Sequence, residues 1–73
     1  MPEIKYKILK KIGILPRSAS DWAKALNLIS WNERDPKYDL REWSPDGGKM
    51  GNGVTLSKEE LAALKELLNQ MEL

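Results

Sequence analysis

From Ser57 onward the chain reads as an amphipathic helix, and that helix constrains everything before it. Ser57 is a natural N-cap, Glu60 three residues on completes a capping box, and Leu56 and Leu61 stand where a hydrophobic staple would be. Leu61, Leu64, Leu68 and Met71 then recur at spacings of three, four and three, with Leu67 widening the stripe. A single apolar stripe has to lie on something. It is expected to pack on the chain's own sheet, on a second copy of itself, or on both, which makes Leu61, Leu64, Leu68 and Met71 the core or dimer residues of the helix.

The residues ahead of it supply strands. In residues 4–15, Ile4, Tyr6, Ile8, Ile12 and Ile14 share one parity, interrupted by Lys10, while Lys5, Lys7 and Lys11 take the other with Leu9. Period-two alternation predicts a strand with one buried face, its other face a row of ammonium groups. Residues 16–21 are a turn. Residues 22–32 read two ways: a helix capped by Asp21, which local propensity favours for the first half, or a strand. As a strand they place Ala25, Asn27, Ile29 and Trp31 on one face and Leu26, Leu28 and Ser30 on the other. Residues 32–36 are a charged turn. Residues 37–44 alternate again, with Tyr38 and Leu40 facing one way and Lys37, Asp39, Arg41 and Trp43 the other. A strong turn at residues 44–48 and a looser one at 50–53 lead into a short strand at 54–56.

The chain has 73 residues, so one domain over residues 1–73 is expected, and a small one. It has no Cys and no His, which excludes disulfides and the usual zinc sites and leaves oligomerisation as the remaining staple. No metal, cofactor or small-molecule substrate is expected. No apolar run approaches the roughly 20 residues of a membrane span, and Met1-Pro2-Glu3 does not resemble a signal peptide, so a soluble cytoplasmic protein is the expectation. The net charge of +1 is unevenly spread. Lys5, Lys7, Lys10, Lys11, Arg17 and Lys24 face only Glu3 and Asp21 in the first third, whereas Glu59, Glu60, Glu66 and Glu72 outnumber Lys58 and Lys65 in the last.

Catalysis finds little support. The commonest general base and the thiol nucleophile are both absent. Asp39 and Glu42 have opposite strand parity, Ser57 is explained as a cap, and the glycine clusters lack the lysine and strand-to-helix context of a phosphate loop. The chain is not expected to be an enzyme.

Residues 31–56 are the functional stretch. Trp31 and Trp43 flank an alternating strand that carries Lys37 and Arg41. Aromatic faces with cations between them are what an unpaired strand requires: stacking surfaces for bases and positive charge for phosphates. On the residues alone, the same tryptophans serve equally well as core. Lysines on a strand serve equally well as a solvated face.

Trp31-Asn32, residues 36–46 (Pro-Lys-Tyr-Asp-Leu-Arg-Glu-Trp-Ser-Pro-Asp), Lys49-Met50-Gly51 and Gly53-Val54-Thr55-Leu56-Ser57 together resemble the C-terminal domain of the transcriptional coactivator positive cofactor 4. The likeness is closer still to the small bacterial YdbC-type members, and with Trp22 and Leu26-Asn27 it spans nearly the whole chain. It implies an α+β fold, a curved four-stranded antiparallel sheet followed by one C-terminal helix (ββββα), paired into a homodimer through helix and sheet. It also implies a strand at residues 22–32. The activity it implies is binding of single-stranded DNA with little sequence preference, in transcription or in DNA repair or replication.

Carried over by position, Arg41 matches the family's phosphate-contacting arginine. Trp43 falls at or beside its base-stacking aromatic, and Trp31 sits where the family places another, near the turn between the second and third strands. Lys37 joins them by parity with Arg41, and Lys24, Asn27, Asn32 and Lys49 complete the candidate nucleic-acid residues. Asp39, between Lys37 and Arg41, is expected to pair with Arg41 and hold its guanidinium. RNA as the ligand and a protein-docking module built on the same sheet remain the alternative readings.

Overall fold

The computed structural model describes residues 5–17 and 19–72. Four strands, β1 (Tyr6–Ile14), β2 (Ala23–Trp31), β3 (Lys37–Trp43) and β4 (Met50–Leu56), precede one helix, α1 (Lys58–Gln70). The strands follow one another across a single open sheet in the order β1-β2-β3-β4, each pair antiparallel. This is the ββββα architecture expected from the resemblance.

The segment read as helix or strand resolves as strand, over Ala23–Trp31. β2 is central, with β1 on one side and β3 on the other, so its backbone groups have ladder partners along both edges. Those pairings outweigh a mild local helix preference.

Two expectations need correction. The strand at residues 54–56 begins earlier, at Met50, so the glycines of residues 50–53 belong to a strand and not to a loose turn. They allow β4 to press against its neighbours: a β-carbon on Gly51 would lie 3.2 Å from the Trp22 ring. The predicted buried face of β1 is largely exposed. Register shifts between Ile8 and Lys10 and between Lys11 and Gly13 break the two-residue phase of the strand. Ile8 alone in β1 is half-buried, while Tyr6, Leu9, Ile12 and Ile14 stand open to solvent. Ile4 lies outside the described residues.

The buried apolar side chains among the described residues are Ala23, Ile29 and Trp43, joined by the polar Asn27 and Asp39. All five lie on one face of β2 and β3 by alternation. The opposite face carries Leu26, Leu40 and Leu56, and α1 lies there, touching β3 and β4.

Ser57 caps the helix as predicted. Its hydroxyl accepts from the Glu60 amide at 3.1 Å, and the Glu60 carboxylate accepts from the Ser57 amide at 2.9 Å. The helix nonetheless buries none of its residues: Leu61 and Leu64 are half-buried, and Leu67, Leu68 and Met71 are exposed. Between helix and sheet runs an apolar groove of about 570 Å³, lined by Ile14, Leu15, Leu26, Leu40, Leu64 and Leu68 among others.

Candidate nucleic-acid interface

The face of the sheet away from the helix is organised around Asp39. Asp39 and Arg41 are two apart on β3, so both side chains rise from the same face. Arg41 donates from Nε to Asp39 Oδ2 at 3.0 Å and from Nη2 to Oδ1 at 3.0 Å, the fork geometry that makes arginine–carboxylate pairs strong. Thr55 on β4 donates its hydroxyl to the same Oδ1 at 3.2 Å, and the remaining Arg41 nitrogen, Nη1, donates to the Gly51 carbonyl at 3.3 Å. Asp39 has no exposed surface, so its charge depends on these partners. The expected Asp39–Arg41 pair is formed.

The pair fixes the guanidinium in space. Its carbon lies 5.2 Å from the centroid of the Trp31 ring, a cation–π contact. Tyr6, opposite Trp31 in the β1–β2 ladder, stands between the two tryptophans, 5.7 Å from Trp31 and 6.0 Å from Trp43, tilted to both. Trp43 is 9% exposed, and the indole N–H groups of Trp31 and Trp43 are both buried with no hydrogen-bond partner among the described residues. Arg41 and three aromatic rings thus form one contiguous cluster.

Arg41, Trp31, Trp43 and Asn27 are brought together on this face. Lys37, exposed, lies at its edge opposite Ile29. Asn27 is 4% exposed and sits opposite Asp39. Other candidates are placed elsewhere. Lys24 projects from the opposite face, 3.5 Å from Glu42. Asn32 sits in the β2–β3 turn at φ 49°, where its side-chain oxygen accepts from the Lys5 amide at 3.2 Å. Lys49 is exposed in the β3–β4 hairpin, its amide bound to the Ser44 hydroxyl at 3.0 Å. In the same hairpin, the Ser44 hydroxyl and then the Gly48 amide hold the Asp46 carboxyl below its usual pKa, so Asp46 stays ionised while it ties the turn.

Sequence reasoning passed over Tyr6 and Thr55 as members of this cluster. Tyr6 showed only as one apolar position in the β1 alternation. Thr55 gives no signal, because its role depends on the β3–β4 register that sets it opposite Asp39.

Residues 18–67 match the family described as Transcriptional Coactivator p15 (PC4). The chain belongs to this family. It is also 50% identical over 68 residues to an uncharacterised protein of Treponema pallidum (strain Nichols), across 93% of this chain and 80% of that protein. The PC4 match takes in β2, β3, β4 and most of α1, hence Trp31, Asp39, Arg41, Trp43 and Thr55. It begins after β1, so Tyr6 and the β1 lysines lie outside the matched region. Membership of the PC4 family supports a DNA-binding, transcription-coactivator-like role.

Proposed function

We propose that this protein binds single-stranded DNA without strong sequence preference, as a homodimer and without catalysing a reaction. The observation that carries the binding is the cluster of Arg41 with Trp31, Tyr6 and Trp43 on the sheet face left free by the helix. The accessible rings of Tyr6 and Trp31 offer every base a stacking surface worth about 1–3 kcal/mol each, blind to sequence because every base has a π-face, while Trp43, 9% exposed, packs beside Tyr6 as its support. Lys37 at the edge of this face supplies a mobile charge for the phosphates, while Arg41, already held by Asp39, presents a fixed one.

The dimer is supported by the other face. Leu68 of the helix and Ile14 and Leu15 at the end of β1 are exposed along an apolar groove, and Leu67 and the C-cap Met71 are exposed as well. The radius of gyration is 13.4 Å, whereas a compact globule of this length has about 11 Å. A second copy laid on the helix would bury that stripe and enlarge a core that now holds three apolar side chains among the described residues.

The test is a tryptophan-fluorescence titration with a single strand of about 20 nucleotides and with the matching duplex, at low and moderate salt. Quenching by the single strand that weakens with salt is expected. Absence of binding to either would instead make the sheet a protein-docking surface.

A further inference from the structure

Beside the aromatic cluster, β1, β2, the end of β3 and Gly47 of the hairpin line an open recess of about 350 Å³. Its walls include Ile8, Ile12 and Ile14 from β1 and the Trp43 indole, with Asn27 and Lys11 as its polar side chains. We propose that this recess takes one unpaired nucleobase by its Watson–Crick edge, with Asn27 as the group that reads that edge and Lys11 at the mouth for the adjoining phosphate. The inference rests on the single-strand reading above and says how that preference is enforced.

Asn27 carries the argument. It is 4% exposed, and its carboxamide makes no hydrogen bond to any described residue. The buried side-chain polar atoms left without a partner among the described residues are the Trp31 and Trp43 indole nitrogens, so the Asn27 carboxamide keeps its donors and acceptor open to solvent, on the side of the recess it lines. Here it lines a recess that is otherwise mostly apolar, the pattern of a ligand site in which a few polar groups fix orientation. The volume lies near the lower end of the roughly 300–1,000 Å³ usual for such sites, which suits one nucleoside and not a stack of bases.

The chemistry of the edge then follows. Every nucleobase shows a donor beside an acceptor on its Watson–Crick edge. A carboxamide turned over by half a rotation meets the pair in either order. Asn27 therefore tests whether the edge is free, and not which base carries it. In a duplex that edge is occupied by the complementary strand, so the recess discriminates against paired bases while staying tolerant of sequence. Lys11, exposed and with three donors, suits a phosphate and makes no demand on the base. Both Lys11 and the isoleucine wall belong to β1, ahead of the PC4 match, which begins at residue 18.

Two oligonucleotides of about ten residues decide the matter: oligothymidylate, and the same length built from N3-methylthymidine. Charge and stacking surface are equal, and only the Watson–Crick edge is blocked. The wild-type protein is expected to bind the methylated strand at least about fivefold more weakly, the scale of a lost bidentate base contact. Asn27→Leu is expected to abolish that difference, and Lys11→Ala to weaken both strands alike. Equal binding of the two strands by the wild type overturns the recess and leaves single-strand binding intact. Binding of neither overturns the single-strand reading itself, and the recess with it. Should Asn27→Leu fail to fold, the wild-type comparison decides alone.

Discussion

Gly53 lies directly against Arg41 across the β3–β4 ladder. A β-carbon on Gly53 would stand 2.7 Å from the Arg41 Cα and 2.6 Å from the Leu40 carbonyl oxygen, which is backbone and cannot swing aside. The glycine is therefore part of the site, because it lets β4 come close enough for Thr55 to reach Asp39.

Gly53→Ala is expected to destabilise the protein by about 1–3 kcal/mol, the usual range for overpacking. Gly13→Ala is the control, since nothing lies within 4 Å of a β-carbon there. Urea unfolding of the two variants beside the wild type gives the comparison. Similar midpoints for both would remove the close approach as a constraint.

Asp39→Ala leaves the Arg41 guanidinium with the Gly51 carbonyl as its remaining hydrogen-bond partner and frees it from its position over Trp31. Breaking a buried pair by deleting one member costs about 3–5 kcal/mol. The Arg41 side chain is 19% exposed and water can replace part of the loss, so the lower end is expected. Thr55→Val removes one hydrogen bond to Asp39 and is expected to cost about 1 kcal/mol. Single-strand affinity should fall in Asp39→Ala even under conditions where it remains folded. Unchanged affinity would show that the fixed arginine takes no part in binding.

The lysines should separate in salt titrations. Each phosphate neutralised on a single strand adds about −0.7 to the slope of log affinity against log salt. Lys37→Ala is expected to lower the slope by about that amount, since Lys37 is exposed at the edge of the aromatic face. Lys24→Ala should change it little, because Lys24 lies on the far face beside Glu42. The reverse ranking would move the strand's path to the helix side.

Leu68→Glu places a charge on the exposed part of the helix stripe, and Leu64→Glu places one in the groove. Sedimentation is expected to show a monomer for Leu68→Glu and a monomeric or unfolded chain for Leu64→Glu. A folded dimer in both would exclude the helix as the interface.

Acid should loosen the helix start. The Ser57 backbone amide, and then its hydroxyl, hold the Glu60 carboxyl below its usual value of 4.5. A carboxyl whose pKa is lowered by folding contributes stability above its unfolded value and loses it as pH falls through the folded one. Wild-type helical circular dichroism should therefore decline below about pH 4.5 more steeply than that of Glu60→Gln, which keeps an acceptor but does not titrate. Parallel curves would show that the capping box does not hold the helix.

The sequence by itself determined the elements whose signal is local. The capping box at Ser57 and Glu60 and the leucine stripe depend on neighbours within two turns, and the helix starts and caps as those residues dictate. The alternation of β3 likewise put Lys37, Asp39, Arg41 and Trp43 on one face, and the Asp39–Arg41 pair follows from that spacing. Residues 22–32 became legible as strand only through the family resemblance, because their own propensity leaned toward helix. Tertiary structure alone decided how far each face is buried. The β1 alternation promised a buried row, but two register shifts dephase it, and such shifts depend on the partner strand. From their spacing alone Trp31 and Trp43 served equally well as stacking surfaces and as core, and the stacking role came from the family resemblance. Folding instead sets Tyr6 between them and leaves Trp43 nine-tenths covered, because the edge strand β1, paired with β2, brings the Tyr6 ring in from a distant part of the sequence. Contacts of that range leave no local periodicity. The recess around Asn27 exists for the same reason: its walls come from three strands and a hairpin, and no one segment of the chain contains it.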